Sequence, residues 1–314
     1  MKEYKDWLKP IEESIAVLYK DRDAYGLMDP MEYIISIGGK RIRPALVLMT
    51  YELFKEDPET VIEKAIVVEA FHNFTLMHDD IMDAAPLRRG KTTVHHKWDT
   101  PTAILSGDAM LVHCYQMLAN EKNEIIADFS KTAMEVCQGQ MMDMNFETRN
   151  DVSKEEYLEM IRLKTAVLIG YSMELGALLA GANKEQTKLC YDCGVNMGLS
   201  FQIMDDLLDA FGDQALVGKQ KGGDILADKK TYLSLLTIEK ASEKYQETSK
   251  ETKESVKVEK MLALYEEKGV RKETEELMKD YYHKAVDGLN SIGLAKEKTG
   301  PLMNLFGFLF QRAF

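Results

Sequence analysis

Two segments of the chain share one pattern of aspartates, Asp79-Asp80-Ile-Met-Asp83 and Asp205-Asp206-Leu-Leu-Asp209. At 3.6 residues per turn, the first and last carboxylates of each segment share one helix face. Like charges at this spacing repel, more strongly between apolar neighbours, so we expect a cation beside them. Ligands that are all hard oxygens favour Mg²⁺, which usually completes its shell with water and phosphate oxygens. The pattern therefore predicts two magnesium-binding segments.

One such motif alone is more often a solvated acidic surface. This chain has two copies, each inside an apolar segment whose spacing predicts a helix, so a metal site is favoured over a solvated surface. We therefore expect all six carboxylates to belong to a metal site: Asp79, Asp80, Asp83, Asp205, Asp206 and Asp209.

Basic residues cluster near both aspartate motifs, although the chain carries 40 basic against 52 acidic residues and a net charge of −12. Arginine offers phosphate a two-pronged fork, and lysine offers a point charge. The acidic balance and the dispersed basic groups exclude nucleic acid as the main partner. A small phosphate-bearing substrate is the expected partner. The clusters are Lys40, Arg41 and Arg43 after Gly38-Gly39, Arg88 and Arg89 before Gly90, and Lys219 with Lys229 after the second motif.

Two further polar residues interrupt apolar helical faces. Counting back from Asp83 by fours and threes reaches Asp79, Leu76 and His72, so His72 faces the same side as the carboxylates. Lys164 lies on an apolar stripe of a later helix. A lone inward histidine is more often a satisfied core residue, and a lysine at a stripe edge more often extends to water. Because His72 is aligned with the aspartates on one helix face, a functional role is favoured for it.

The elements that position these residues are expected to be helices. All seven prolines stand at positions 10, 30, 44, 58, 86, 101 and 301, so residues 102–300 contain no proline to break a helix. Apolar residues recur there at spacings of three and four. The spacing predicts four long helices, Thr102–Ala119, Asn123–Glu147, Lys154–Ala180 and Lys184–Phe211.

The helices are expected to form one all-α domain that spans residues 1–314. Segments 65–68 and 167–173 are apolar around much of the helix and should lie in the middle of a bundle. Segment 243–276 is strongly charged and is expected to form a peripheral, solvated pair of helices. The chain shows no repeat and no Gly/Ser/Pro linker that would divide it.

A cytoplasmic location is expected from the cysteines and the N-terminus. The four cysteines include one C-x-x-C pair, Cys190 and Cys193, with no second pair to complete a metal site. The N-terminus has no apolar signal region, and no stretch approaches about 18 uninterrupted apolar residues. We therefore expect reduced thiols and no membrane insertion.

Other site classes fit the pattern less well. Glu69-x-x-His72 has the spacing of a di-iron bundle, but that site needs a second Glu-x-x-His, and no other histidine has a glutamate three residues before it. His78 and Asp79 could belong to a metal phosphohydrolase, for which further histidine ligands are not evident. A non-catalytic helical scaffold would not need two inward aspartate motifs.

In combination, the motifs closely resemble those of the all-trans isoprenyl diphosphate synthases, from Gly38 to at least Thr231. The resemblance implies the isoprenoid synthase fold, a single bundle of long helices around a central cavity across which the two aspartate motifs meet. It also implies a homodimer that needs Mg²⁺ and condenses isopentenyl diphosphate with dimethylallyl, geranyl or farnesyl diphosphate. A terpene cyclase would share the fold and first motif, but usually has a different second motif and lacks the turn around Lys40.

The same resemblance implies individual roles. Asp79, Asp83 and Asp205 would bind magnesium, with Asp80, Asp206 and Asp209 in support. Contacts to the allylic diphosphate would come from Arg88, Lys164, Lys219 and Lys229. The diphosphate of isopentenyl diphosphate would be held by Lys40, Arg43, His72 and Arg89. The cation that develops during the reaction would be steadied by Thr165 and Gln202.

The residues one or two turns before Asp79 are expected to set product length, namely Phe71, Phe74, Thr75 and Leu76. In the family, an aromatic residue five positions before the motif, here Phe74, marks products of fifteen or twenty carbons. On an ideal helix Phe74 lies about 140° from Asp79, so it would reach the growing chain only through a kink or a steep approach. Farnesyl and geranylgeranyl diphosphate both stay open as products.

Overall fold

The computed structural model describes residues 1–20, 25–212 and 222–310. The chain begins with α1 (Tyr4–Val17), α2 (Met28–Ser36), α3 (Ile42–Phe54), a 3₁₀ turn (Pro58–Val61) and α4 (Ile62–Met82). A hairpin of β1 (Leu87–Arg88) and β2 (Lys91–Thr92) leads to α5 (Val94–Lys97), α6 (Thr100–Leu118) and α7 (Asn123–Thr148). Then follow α8 (Lys154–Ile161), a π-helical segment (Arg162–Ala166), α9 (Val167–Ala180) and α10 (Lys184–Phe211). The last helices are α11 (Gly223–Leu226), α12 (Tyr232–Ser249), α13 (Glu254–Glu267), α14 (Val270–Ser291) and α15 (Lys296–Phe310).

The all-α prediction is confirmed, and the four long helices lie within two residues of their expected bounds. Local signals explain these bounds. Ser153 caps α8 and exchanges hydrogen bonds with Glu156 three residues later, which satisfies two backbone donors at the helix start. Gly181, at φ +78°, ends α9 in the left-handed region that glycine adopts without strain.

The described chain divides into two compact units. The first unit comprises Met1–Ser130, Tyr171–Lys188 and Leu294–Leu302. The second comprises Lys131–Gly170, Leu189–Gly293 and the chain from Met303 onward. Each unit is therefore assembled from stretches that lie far apart in the sequence, and one aspartate motif falls in each.

In the first unit, α4 packs on α3 and α6. Residues 65–68 of α4 are buried, as their apolar character predicted. Gly176 of α9 allows a close approach to α3, because a Cβ there would lie 2.3 Å from the carbonyl oxygen of Val47. The aromatic rings of Phe71, Phe129 and Tyr171 continue the core, with successive centroids 5.4 and 5.7 Å apart.

In the second unit, the prediction that segment 243–276 is solvated and lacks core character is wrong. Met261, Leu264, Tyr265 and Val270 are buried in the hydrophobic core. The abundant charges occupy the outer faces of α12, α13 and α14, while apolar residues three or four apart supply the inner faces. Because segment 243–276 is rich in charged residues, its narrow apolar stripe was not apparent from the sequence.

One helical run of the described chain, Lys154–Ala180, has the length and apolar composition of a membrane-spanning helix. In the structure, 67% of its apolar window is buried within the protein. Because a core helix of a soluble protein has the same composition, this run does not decide the question. The expected lack of membrane insertion stays a prediction.

Candidate active site

The first aspartate motif lies at the C-terminal end of α4 in the first unit. Asp79 is half-buried and Asp80 is 1% exposed, whereas Asp83 is exposed and caps the helix just after its last turn. The backbone N–H of Asp83 donates to the carbonyl oxygen of Asp79 at 2.9 Å. The helix end thus presents three carboxylates in a graded series from buried to exposed.

The β1–β2 hairpin places two arginines beside this motif. Its turn residues, Arg89 and Gly90, have φ of +51° and +74°, the left-handed pair typical of a two-residue I′ turn. Nε of Arg88 donates to Oδ1 of Asp80 at 2.8 Å. Its Nη2 forms ion pairs with the same oxygen at 2.7 Å and with Oδ2 of Asp79 at 3.6 Å. Arg88 is therefore bound to the acidic motif itself.

Positive charge from nearby arginines acts on His72, on the upstream part of α4. Burial lowers the pKa of His72 well below its usual value, and the charges of Arg43 and Arg89 lower it further. Burial is also the main cause that lowers the pKa values of Arg43 and Arg89, while the negative charge of Glu69 raises them. Nε of Arg43 is buried and has no hydrogen-bond partner among the described residues. Arg43 is half-buried and Arg89 is exposed, and such an excess of positive charge around one histidine favours a bound anion.

The neighbouring Arg41 has a different role from Arg43. It is 2% exposed, at φ +50°, and donates to Glu69 at 2.7 Å, Glu12 at 2.8 Å and the carbonyl oxygen of Ile35 at 2.7 Å. Burial opposes its charge, but the bonds to Glu12 and Glu69 raise its pKa. This network joins α1, the end of α2, α3 and α4. Glu69, considered above as a metal ligand, is instead the partner of Arg41.

Lys40 is exposed, and its carbonyl oxygen accepts a hydrogen bond from the hydroxyl of Tyr4. The adjoining Gly39 lies against the hairpin: a Cβ there would lie 2.9 Å from Nη1 of Arg89. The loop before α3 and the hairpin therefore meet at this glycine, which brings Arg43 and Arg89 to one place in the first unit.

In the second unit, the aspartates of the second motif differ in their surroundings. Asp205 is exposed. Asp206 is 5% exposed and accepts hydrogen bonds from the hydroxyl of Tyr157 and, at 3.3 Å, from Nε2 of Gln202. Burial raises the pKa of Asp206 to about 8, against the opposing effect of the Tyr157 hydrogen bond. Burial also raises the pKa of Tyr157 well above its usual value.

Asp209 caps the short helix α11. Its Oδ2 accepts the backbone N–H of Asp224 at 2.9 Å, so one of its oxygens is already engaged. Lys229 has a side chain that is 63% exposed, with Nζ 3.9 Å from Oδ1 of Asp224. Lys219, the remaining predicted phosphate ligand, lies outside the described residues.

Lys164 and Thr165 lie on the π-helical segment between α8 and α9. Nζ of Lys164 is 2.5 Å from Oδ2 of Asp143 on α7, a carboxylate that the sequence analysis did not select. The hydroxyl of Thr165 donates to Oε1 of Gln202 at 3.2 Å. The structure thus brings Thr165 and Gln202 together, and Gln202 links them to Asp206. A π-segment widens the helix by one residue per turn and is frequent at functional sites.

The predicted product-length residues lie in the first unit. Phe71 is fully buried and Phe74 is 7% exposed, with ring centroids 5.5 Å apart. Phe74 also packs edge-on against His78 at 4.8 Å. Thr75 is half-buried, and its hydroxyl donates to the carbonyl oxygen of His72 at 2.8 Å. Their role in product length stays a prediction.

The carboxylates suit a hard divalent ion, although within the described residues no three His, Cys, Asp or Glu side chains converge as a ready-made metal cluster. Oδ2 of Asp80 is buried and has no hydrogen-bond partner among the described residues, so it can accept a cation. Mg²⁺ commonly takes one or two protein carboxylates and fills its shell with substrate phosphate and water. The donor set therefore fits an ion whose coordination the substrate completes.

Comparisons with known proteins show which family the chain resembles. A family model described as polyprenyl synthetase matches residues 25–267. A geranylgeranyl pyrophosphate synthase of Geoglobus acetivorans is 41% identical over 245 residues, 76% of each chain. A solved geranylgeranyl pyrophosphate synthase aligns with a TM-score of 0.93 and 42% identity over 100% of this chain and 99% of that chain. Another, from Corynebacterium glutamicum and complexed with calcium and isoprenyl diphosphate, has a TM-score of 0.84 and 29% identity, covering 99% and 96%.

The fold is thus that of the all-helical isoprenyl synthases. The chain belongs to the polyprenyl synthetase family and is a prenyltransferase, as the motif resemblance implied. The three related proteins are all named as synthases that build a prenyl diphosphate, which favours condensation over the cyclase and scaffold alternatives.

Proposed function

We propose that this prenyltransferase catalyses the Mg²⁺-dependent condensation of isopentenyl diphosphate with an allylic diphosphate, extending the prenyl chain by five carbons and releasing diphosphate. Dimethylallyl, geranyl and farnesyl diphosphate are the proposed starters. Geranylgeranyl diphosphate is favoured as the product over farnesyl diphosphate, because the relatives reported above carry that name.

The observation that carries this proposal is the pairing of opposite charge arrays within the first unit. Asp79, Asp80 and Asp83 offer hard oxygens for metal. Upstream on the same helix, the positive charges of Arg43 from α3 and Arg89 from the hairpin act on His72. A metal-bound diphosphate suits the first array, and a second, metal-free diphosphate suits the other. A reaction between two diphosphates explains why both arrays are present.

In the proposed reaction, Mg²⁺ on the aspartates would offset the charge that builds on the departing diphosphate. Arg88, already anchored to Asp80, would direct its remaining N–H donors to the same leaving group. The allylic carbon–oxygen bond breaks, both electrons leave with the diphosphate, and a delocalised carbocation remains. The oxygens of Thr165 and Gln202, which the structure holds together, would stabilise that cation.

Arg43, Arg89 and His72 would hold isopentenyl diphosphate while its double bond attacks the cation. A proton is then lost, and the released diphosphate is the proposed acceptor. The low pKa of His72 keeps its imidazole neutral near pH 7, so it can offer one hydrogen bond without adding charge. The apolar residues of the core exclude water, which would otherwise quench the cation.

The proposal is tested by supplying the purified chain with isopentenyl diphosphate, Mg²⁺ and each starter in turn, and sizing the dephosphorylated products. We expect elongation that chelation abolishes and Mg²⁺ restores. Asp79→Asn and Asp205→Asn should each remove activity, whereas Asp280→Asn, at an exposed aspartate of α14, should not. Cyclic hydrocarbons would indicate a terpene cyclase, and no turnover with any starter would reject the proposal.

We further propose that the chain acts as one catalytic domain and as a cytoplasmic homodimer. Leu105 and Val112 of α6 are 61% and 56% exposed and, seven residues apart, share a helix face. An apolar face of this kind suits a second copy of the chain. Light scattering of the purified protein should give twice the mass of the 35.7 kDa chain, and a monomer at assay concentrations would refute the dimer.

A further inference from the structure

Three side chains, Tyr33, Lys97 and Trp98, form an aromatic cage between α2 and α5, which we name the hairpin clamp. Nζ of Lys97 lies 3.6 Å from the centroid of the Tyr33 ring and 4.5 Å from that of Trp98. The two rings meet edge to face at 5.3 Å. The two distances from Nζ of Lys97 to the ring centroids are well within the range in which a cation is attracted to an aromatic face. The end of α5 is therefore fixed against α2.

The clamp also holds the β1–β2 hairpin. The hydroxyl of Tyr33 donates to the carbonyl oxygen of Thr92 at 2.7 Å, and Thr92 pairs with Leu87 across the hairpin. At the base of the hairpin, the buried hydroxyl of Thr93 donates to the carbonyl oxygen of Ala85 at 2.7 Å. The hairpin is thus tied at one side to α2 and at its base to the segment that follows α4.

The two arginines of the hairpin depend on this support to different degrees. Arg88 has a direct ion pair with Asp80, which fixes its side chain independently of α2. Arg89 stands in the left-handed region at the turn, with its guanidinium against Gly39, in the loop that follows α2. Because Tyr33 lies on α2, it fixes the hairpin relative to the same helix from which that loop emerges.

We propose that Tyr33 and Lys97 are positioning residues that hold the hairpin so that Arg89 meets Arg43 and His72 at the second diphosphate. This inference rests on the proposed function. It predicts a selective defect. Loss of the clamp weakens binding of isopentenyl diphosphate, while the allylic diphosphate, served by Arg88 and the aspartates, binds nearly as before.

The test compares steady-state kinetics for both substrates in clamp variants. Tyr33→Phe removes the hydroxyl and keeps the ring that faces Lys97. Since one hydrogen bond contributes about 0.5–1.5 kcal/mol, the KM for isopentenyl diphosphate should rise roughly 3- to 10-fold. The KM for the allylic substrate and kcat should each stay within about twofold, since the contacts of Arg88 are retained. Lys97→Met should give the same pattern, and Lys97→Arg should restore it.

Two control variants separate a failure of the clamp inference from a failure of the proposed function. Tyr25→Phe, at a fully exposed tyrosine of the same unit, should change neither KM. Arg89→Ala should raise the KM for isopentenyl diphosphate at least as much as Tyr33→Phe. If Arg89→Ala has no effect, the assignment of Arg89 in the proposed function is wrong and the inference fails with it. If Arg89→Ala acts as expected but the clamp variants leave this KM unchanged, or raise both KM values equally, the clamp does not position Arg89.

Discussion

Two nitrogens of Arg88 meet a single oxygen of Asp80: Nε donates a hydrogen bond to Oδ1 at 2.8 Å, and Nη2 forms an ion pair with the same oxygen at 2.7 Å. A guanidinium has five N–H donors, so this arrangement leaves the Nη1 side of Arg88 available to a substrate. It also leaves the second oxygen of Asp80 available to a cation. The pair therefore joins the acidic motif to the basic hairpin without exhausting either partner.

Removing Arg88 should destabilise the protein, because the carboxylate of Asp80 is 1% exposed and would lose its cation. Breaking a fully buried pair costs about 3–5 kcal/mol, and since the Arg88 side chain is 23% exposed we expect about 2–3 kcal/mol for Arg88→Ala. Urea denaturation measures the change. Adding Asp80→Asn should recover part of the loss.

A surface pair provides the matched control for this prediction. Lys272 and Glu276 are 3.8 Å apart, with side chains 81% and 59% exposed. Lys272→Ala should change the free energy of unfolding by less than about 0.5 kcal/mol. Equal losses from Arg88→Ala and Lys272→Ala would contradict a specific role for the Arg88–Asp80 pair.

Gly139 of α7 should tolerate no side chain. A Cβ there would lie 2.3 Å from the backbone nitrogen of Lys164 and 2.7 Å from the carbonyl carbon of Leu163. Because backbone atoms cannot rotate away, Gly139→Ala should cost more than about 1–3 kcal/mol and reduce activity by moving Lys164. Gly307→Ala is the control, since its Cβ would meet nothing within 4 Å on helix α15.

The control variant should raise the free energy of unfolding, whereas Gly139→Ala should lower it. Alanine is favoured over glycine inside a helix, so Gly307→Ala should stabilise by about 0.5–1 kcal/mol. Thermal melting of both variants checks the pair. If Gly139→Ala melts at the temperature of the unaltered protein, then α7 does not pack against the π-helical segment as described.

Replacing Phe74 should lengthen the product. Its ring packs between Phe71 and His78, so Phe74→Ala would open space one to two turns before Asp79. We expect products longer by at least one five-carbon unit, measured by chromatography of the dephosphorylated alcohols. Because a core Phe→Ala change costs about 3–5 kcal/mol, the milder Phe74→Leu should be assayed beside it.

Phe308 is the matched control for this change, since it is a phenylalanine 44% exposed on α15. Phe308→Ala should leave the product profile as it was. An unchanged profile in folded Phe74→Ala and Phe74→Leu protein would eliminate Phe74 as the floor of the chain-binding space.

His72 should make the protein less stable in mild acid. Burial and the nearby Arg43 and Arg89 lower its pKa in the folded state, whereas the unfolded chain binds a proton at about 6.5. Below that pH the unfolded state holds more protons, so stability falls as the pH drops and is unaffected by this group above about pH 7.5. Each unit of lowering corresponds to about 1.4 kcal/mol once the pH is below both pKa values.

His72→Gln should therefore flatten the decline in melting temperature between pH 7.5 and 5.5. His283→Gln, at an exposed histidine of α14, should keep the decline of the unaltered protein. The same pH profile in both variants would show that His72 is not the group that resists protonation.

Several of these features could be predicted from the sequence. The period of three to four and the absence of proline were sufficient for the long helices, because both act locally along the chain. The aspartate motifs were recognisable for the same reason. In contrast, the partner of Lys164 is Asp143, 21 residues earlier on another helix, and no local pattern links them.

Other features could not be predicted, because they leave no recognisable pattern in the sequence. Each strand of the hairpin has two residues, too few for alternation to be visible. The π-helical segment differs from its flanking helices in hydrogen bonding rather than composition. Arg41 and Arg43 look alike in sequence. Only their packing separates Arg41, which ties four helices together, from Arg43, whose buried Nε has no hydrogen-bond partner among the described residues.

The interleaved composition of the first unit has a consequence for how the protein is made. This unit includes Leu294–Leu302, far along the chain from its first stretch, Met1–Ser130. A ribosome must therefore synthesise the chain as far as Leu302 before the unit that carries Asp79 can be completed. Native pairings so distant along the chain fold slowly and leave apolar surface open in the meantime. Premature termination before Leu294 should thus yield an aggregation-prone product rather than a functional fragment.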